Sequence, residues 1–167
     1  MIHDILDLHT HTIMSGHAYN TMQEMIRSAS EKGVRLLGIT EHAPRIPGAC
    51  HPFYFINFKV VPREQFGVKL ILGCEVYVAP GSRFDKEAVG SGDDRYYQLV
   101  LLAENDEGYH NLMKIVSRGY TEGYYYKPRV DLELLREFHE GIIALSACLA
   151  GEVQKNITRG MYSEGRA

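Results

Sequence analysis

Positive charge is not in excess in this chain: 18 Lys and Arg face 21 Asp and Glu, for a net charge of −3. That removes any bulk electrostatic reason to bind nucleic acid and leaves only a local basic groove open. No apolar run approaches the roughly 20 residues that a membrane-spanning helix needs, so no membrane partner is expected. The start, Met1-Ile2-His3-Asp4, carries no basic n-region, so no secretory signal peptide is expected either. The cysteines number three, an odd count without paired spacing, which argues against a disulfide framework. The expected localisation is cytoplasmic. Internal repeats, low-complexity linkers and nucleotide-polymerising motifs are also absent from these 167 residues.

What is present suits one globular domain. The length is enough to bury a core, and 45% hydrophobic with 23% charged residues is ordinary. The chemistry gathers around Asp7-Leu8-His9-Thr10-His11, which follows the apolar pair Ile5-Leu6 and reads as a strand leaving a core. Side chains alternate along a strand, so Asp7, His9 and His11 are expected on one face and Leu6 and Leu8 on the other. Residues two apart are about 6.6 Å apart at the backbone. Across that span two imidazoles can lean onto one metal through bonds of about 2.0–2.1 Å. His17, His42 and Glu75 are further candidate ligands. Ordinary surface histidines are the alternative, and the strand spacing weighs against it.

Asn20 or Thr21 caps an expected helix with Met22, Met25, Ile26 and Ala29 on its apolar stripe and Gly33 at its stop. Residues 34–40 read as a buried strand that delivers Glu41 and His42. Pro44, Pro47, Gly48 and Pro52 predict a loop, with His51, Phe53, Tyr54 and Phe55 in or beside it. Residues 69–78 contain a third strand carrying Glu75; 80–95 read as loop; 97–103 form a fourth strand. Asn105 and Asp131 cap two more helices, separated by a tyrosine-rich loop over 119–129. A fifth strand over 142–145 leads to Cys148, and a last helix starts near Ala150. Alternating strands and helices predict an α/β fold with a parallel sheet. His9, His11, His42, Glu75 and Cys148 then lie at or just past strand ends, where a β/α barrel carries its chemistry.

Imidazoles with a carboxylate and a thiolate suit zinc, manganese or iron better than calcium or magnesium. Such divalent ions lower the pKa of bound water towards roughly 7. The reaction this points to is hydrolysis of a phosphoester, with a small molecule or a nucleic-acid end as substrate.

Three strings carry a family resemblance: DLHTHT at 7–12, ITEH at 39–42 and GCE at 73–75. They resemble the first three motifs of the PHP (polymerase and histidinol phosphatase) family. Residues 1–75, notably SGHAYNT and HPFYFINFKVVPRE, are similar to stand-alone PHP phosphatases. From about 74 onwards, in GCEVYVAPGSRFDK, YYKPRVD and IIALSACLAGEV, the chain resembles the PHP domain of the bacterial DNA polymerase III alpha subunit. The two dialects meet near Gly73-Cys74-Glu75, like a mosaic. The resemblance implies a single truncated PHP domain over 1–167, phosphatase-like over 1–75 and polymerase-like over 76–167. Its fold would be a partial (β/α) barrel of about five parallel strands with flanking helices, the family's C-terminal strands missing.

The resemblance also implies a ligand set with up to three metals. His9, His11 and Glu75 would hold one and form the catalytic group, with Glu75 bridging to a second. His17 and His42 would hold a third, and Cys148 matches the polymerase-type ligand. Two departures predict fewer metals and weak activity. Gln98 stands where the polymerase pattern usually has His, a poorer ligand. The family's late Asp-x-His motif is not within the sequence. Both departures favour the alternative function, a non-catalytic structural or metal-binding module of the replicative polymerase. An incomplete barrel would also leave a sheet edge open to a homo-oligomer partner.

Other residues carry two readings each. Arg45, near His42, is a substrate-phosphate contact or a solvated loop arginine. His51 lines the pocket or is a plain loop histidine. Tyr120, Tyr124, Tyr125 and Tyr126 with Lys127 and Arg129 can clamp a nucleic-acid strand, but packing of a long loop is the favoured reading. Cys74, adjacent to Glu75, is expected to point away from the metals into the helix layer.

Overall fold

The computed structural model of the chain describes residues 5–43, 49–87 and 95–163. The strands are β1 (Leu6–Thr10), β2 (Leu36–Ile39), β3 (Glu64–Gln65), β4 (Val68–Val78), β5 (Tyr97–Ala103), β6 (Tyr124–Tyr125), β7 (Lys127–Val130) and β8 (Ile142–Leu145). The helices are α1 (Met22–Glu31), α2 (Pro52–Asn57), α3 (Asp106–Thr121), α4 (Leu132–Glu137) and α5 (Glu152–Thr158). The sheet runs in the order β1-β2-β4-β5-β8, and β7 joins the far end of β4. This is a mostly parallel sheet with flanking helices, a partial β/α fold as expected.

Of the five expected strands, one departs from the parallel expectation. β1, β2 and β4 pair in parallel, but β5 pairs antiparallel with both β4 and β8. A parallel neighbour needs a long crossover, usually a helix. Here the chain turns back after β4, and β5 lies antiparallel beside the strand it has just left. As a result Gln98, at the start of β5, pairs with Tyr77 at the end of β4.

Local sequence sets the helices. Thr21 caps α1 through a capping box: its hydroxyl accepts from Glu24 N, and the Glu24 carboxylate accepts from Thr21 N. Asn105 and Asp131 cap α3 and α4 as expected, accepting from Gly108 N and Leu134 N. The stretch over 52–57, expected in or beside a loop, is the short helix α2, because Pro52 suits a first helical turn and His51 supplies the cap. The loop expected over 119–129 is partly regular: α3 continues to Thr121, and β6 and β7 form a small hairpin.

Two apolar clusters hold the layers together. Ile26 and Ala29 of α1 pack on Leu37, Ile39, Leu70 and Leu72. Leu112 and Ile115 of α3 pack on Cys74, Val76 and Leu101, so Cys74 does face the helix layer. Full burial of each such side chain is worth about 1.5–3 kcal/mol.

The first strand is not regular. Its register on β2 runs Asp7↔Leu37 and then Thr10↔Ile39, three residues against two. That is the signature of a bulge, which re-aims side chains. Asp7 and Thr10 consequently line one groove against α1, and Asp7 does not share a face with His9 and His11. Gly38 makes room for the bulge, since a Cβ there would sit 2.4 Å from Leu8 O.

Candidate metal centre

His9 and His11 leave the bulged end of β1, and Glu75 comes from the middle of β4. Their donor atoms converge. His9 Nε2 lies 3.0 Å from His11 Nε2, and Glu75 Oε2 lies 3.4 Å from the former and 3.2 Å from the latter. Tetrahedral ligands on bonds of about 2.0–2.1 Å sit roughly 3.3–3.4 Å from one another. The three atoms are therefore spaced as ligands of one ion would be. A second trio, His11, His17 and His42, also has its donor atoms within 4.8 Å of one another.

His42 just follows β2, bridging to Glu75 across the sheet. Its Nδ1 stands 3.3 Å from Glu75 Oε2, yet it is a buried nitrogen without a hydrogen-bond partner among the described residues. An orphaned buried donor atom aimed at a carboxylate fits a place for a cation. Burial lowers the His42 pKa to about 4, against the attraction of Glu75 and with repulsion from His11, His17 and Lys127. Its ring is therefore neutral and ready to ligate at neutral pH. Burial pushes the Glu75 carboxyl up, but hydrogen bonds from His11 and His9 and charge from His42 outweigh it and hold the pKa at about 2.

Behind the donor atoms lies a shell of residues that sequence reasoning did not single out. Glu41 is fully buried. Its carboxylate accepts hydrogen bonds from Thr12 N at 3.1 Å, from the Thr12 hydroxyl, from Ser15 Oγ at 2.5 Å and from Tyr54 OH at 3.0 Å. Ser15 Oγ also meets His11 Nδ1 at 3.1 Å and accepts from His42 N at 3.2 Å. His17 Nδ1 sits 3.1 Å from Ser15 O. His11 and His17 thus each engage Nδ1 on the protein and leave Nε2 for the centre. Outer partners of this kind fix ring orientation and tautomer in metal sites. The signal was present in the sequence: Glu41 alternates with His42 and must point inward where His42 points to the mouth.

The remaining candidates stand apart. Cys148 Sγ lies 2.9 Å from Gln98 Oε1, beside Tyr77 at the end of β4. Neither belongs to the two trios. His51 caps α2, its Nδ1 accepting from Phe53 N at 3.2 Å, and is exposed. Arg45 lies outside the described residues.

The PHP domain family matches residues 7–167, nearly the whole chain. This chain belongs to the PHP domain family. Among curated PHP-containing relatives, the DNA polymerase III subunit alpha of Treponema pallidum is 42% identical over 160 residues, covering 94% of this chain and 13% of the relative. That of Deinococcus radiodurans is 41% identical over 169 residues, covering 96% and 12%. A probable phosphatase of Clostridium novyi is 54% identical over 74 residues, covering 44% of this chain and 30% of the relative. The chain therefore spans about an eighth of the length of those polymerase subunits. No helix among the described residues of this PHP chain is long and apolar enough to cross a membrane.

Proposed function

We propose that this PHP domain is a metal-dependent phosphoesterase core. The observation that carries the reading is the convergence of His9 Nε2, His11 Nε2 and Glu75 Oε2 at 3.0–3.4 Å. The donor set favours zinc, manganese or iron. When bound, such an ion supplies hydroxide near neutral pH and polarises a phosphoryl oxygen. The chain's own residues do the rest. His9 and His11 present Nε2, Glu75 contributes its oxygen as an anion, and Glu41 with Ser15 holds His11 in place. His42 remains neutral and can join Glu75 or His17 in a second position. Gln98 in place of a histidine leaves the Cys148 corner short of a strong ligand, so the activity is expected to be weak.

A second reading has its own support. The same Gln98 and the names of the polymerase relatives favour a structural or metal-binding module of a replicative polymerase, without turnover.

The test is elemental analysis of purified protein with turnover of p-nitrophenyl phosphate in added manganese or zinc. The phosphoesterase reading expects bound metal and metal-dependent turnover, both abolished in the His9→Ala/His11→Ala double variant. Bound metal without turnover would support the structural module. Unchanged metal content in the double variant would remove the site assignment altogether.

A further inference from the structure

Lys127 opens β7, which takes over the edge of β4 where β2 leaves it. Arg129 pairs with Tyr77 and Val130 with Val78, in parallel. Residues two apart share a face, so Lys127 and Arg129 lie on the face of Tyr77 and Glu75. The Lys127 ammonium sits 5.1 Å from the centre of the Tyr77 ring. Tyr77 in turn stacks on His42, with ring centres 6.4 Å apart and planes 14° from parallel.

The other cations of this region are spoken for. Arg83 pairs with Asp131 and Glu122, Arg129 donates to the carbonyls of Asp85 and Gly123, and Lys86 donates to those of Glu122 and Tyr124. Among the described residues the Lys127 ammonium meets only the ring face. The strand that carries it is anchored. Buried Arg129 anchors β7, and the hairpin turns through Tyr126 at φ 61°, a left-handed conformation that a bulky residue rarely adopts. Backbone outliers of this sort gather at functional sites.

We propose that Lys127 is the phosphate-binding cation of this site, donating to a non-bridging oxygen of the phosphoryl group beside His42. This rests on the phosphoesterase reading for its substrate, but not for its binding step. A compact ammonium is suited to phosphate as a point charge. On this assignment the polymerase-like half of the chain supplies the anion contact to donor atoms that come from the first 75 residues. Arg129, by contrast, is a buried strut and not part of a nucleic-acid clamp.

The test uses the metal-loaded full chain, with Lys127→Met and Lys127→Arg. Inorganic phosphate binding is read by titration calorimetry, and KM and kcat on p-nitrophenyl phosphate alongside. A charge-assisted hydrogen bond to phosphate predicts that Lys127→Met raises the phosphate Kd and the KM by about tenfold or more. Lys127→Arg should recover most of the binding, and metal content should stay at the wild-type level. Lys127-dependent phosphate binding without turnover would uphold the assignment and sink the phosphoesterase reading. Unaltered phosphate affinity in Lys127→Met, loss of its metal, or no phosphate binding by the loaded wild type would each overturn it.

Discussion

The Cys148 thiol meets the side-chain oxygen of Gln98 at 2.9 Å. Fifty residues separate them in sequence, and the reversed direction of β5 brings them together. A ligand at position 98 would thus stand beside the Cys148 sulfur.

Replacing that amide with an imidazole should create a stronger ligand at this corner. Gln98→His is expected to raise bound zinc or manganese by up to about one ion per chain, with a parallel rise in phosphoesterase rate. Elemental analysis of matched preparations reads it. Equal metal content in both proteins would mean that the corner takes no ion.

The Glu41 shell should govern affinity without touching the ion. Removing an outer-shell partner usually costs about 10–100-fold in metal affinity. Glu41→Gln is expected to fall in that range, since it keeps the volume but weakens the acceptors facing Thr12, Ser15 and Tyr54. Ser15→Ala should show a smaller loss through His11 alone. Competition against a chromophoric chelator measures both. A Glu41→Gln protein that binds metal like the wild type would show that Ser15 orients His11 without it.

The metal-free chain should lose stability in mild acid because of His42. Its folded pKa of about 4 lies below the ordinary histidine value of roughly 6.5. The unfolded chain therefore takes up a proton first as pH falls. The contribution is fully present above about pH 6.5 and is lost progressively down to about 4, on the order of 3 kcal/mol in all. Glu75, depressed to about 2, adds a loss only below the usual carboxylate range. Urea titrations at pH 7 and pH 5 in the presence of a chelator should show the drop in wild type and a smaller one in His42→Gln. Equal drops would assign the effect elsewhere.

Self-association is the fourth expectation. Among the described residues β8 pairs only with β5, and Ile143 on it is 44% exposed. An unpaired strand with an apolar side is a pairing template. α5 turns instead toward the start of β5, where Lys155 reaches Tyr96 O. Light scattering should therefore find a homo-oligomer; a cooperatively folded monomer of 18.9 kDa would refute this.

The convergence of the candidate ligands was partly legible in the chain. His9, His11, His42 and Glu75 stood out because strand spacing and strand ends bring such side chains to one place, and the structure does bring them together. The caps Asn105 and Asp131 were legible for a similar local reason. What escaped was set by contacts distant in sequence. The direction of β5 depends on what lies between it and β4, not on its own apolar pattern. The bulge in β1 depends on Gly38, some thirty residues away. Tyr54 was hidden because α2 is too short for periodicity to reveal.

The reversal of β5 has a bearing on how such a protein can diversify. Val78 and Tyr97 are neighbours in the sheet, so both ends of the segment joining them open on the same side as Tyr77 and Gln98. Lengthening a loop whose ends are already pinned side by side is thermodynamically mild, about 0.6 kcal/mol for each doubling. Insertions and deletions there would leave strand order and donor atoms in place. The length of that segment can therefore vary while the donor atoms, which the strands carry, stay fixed.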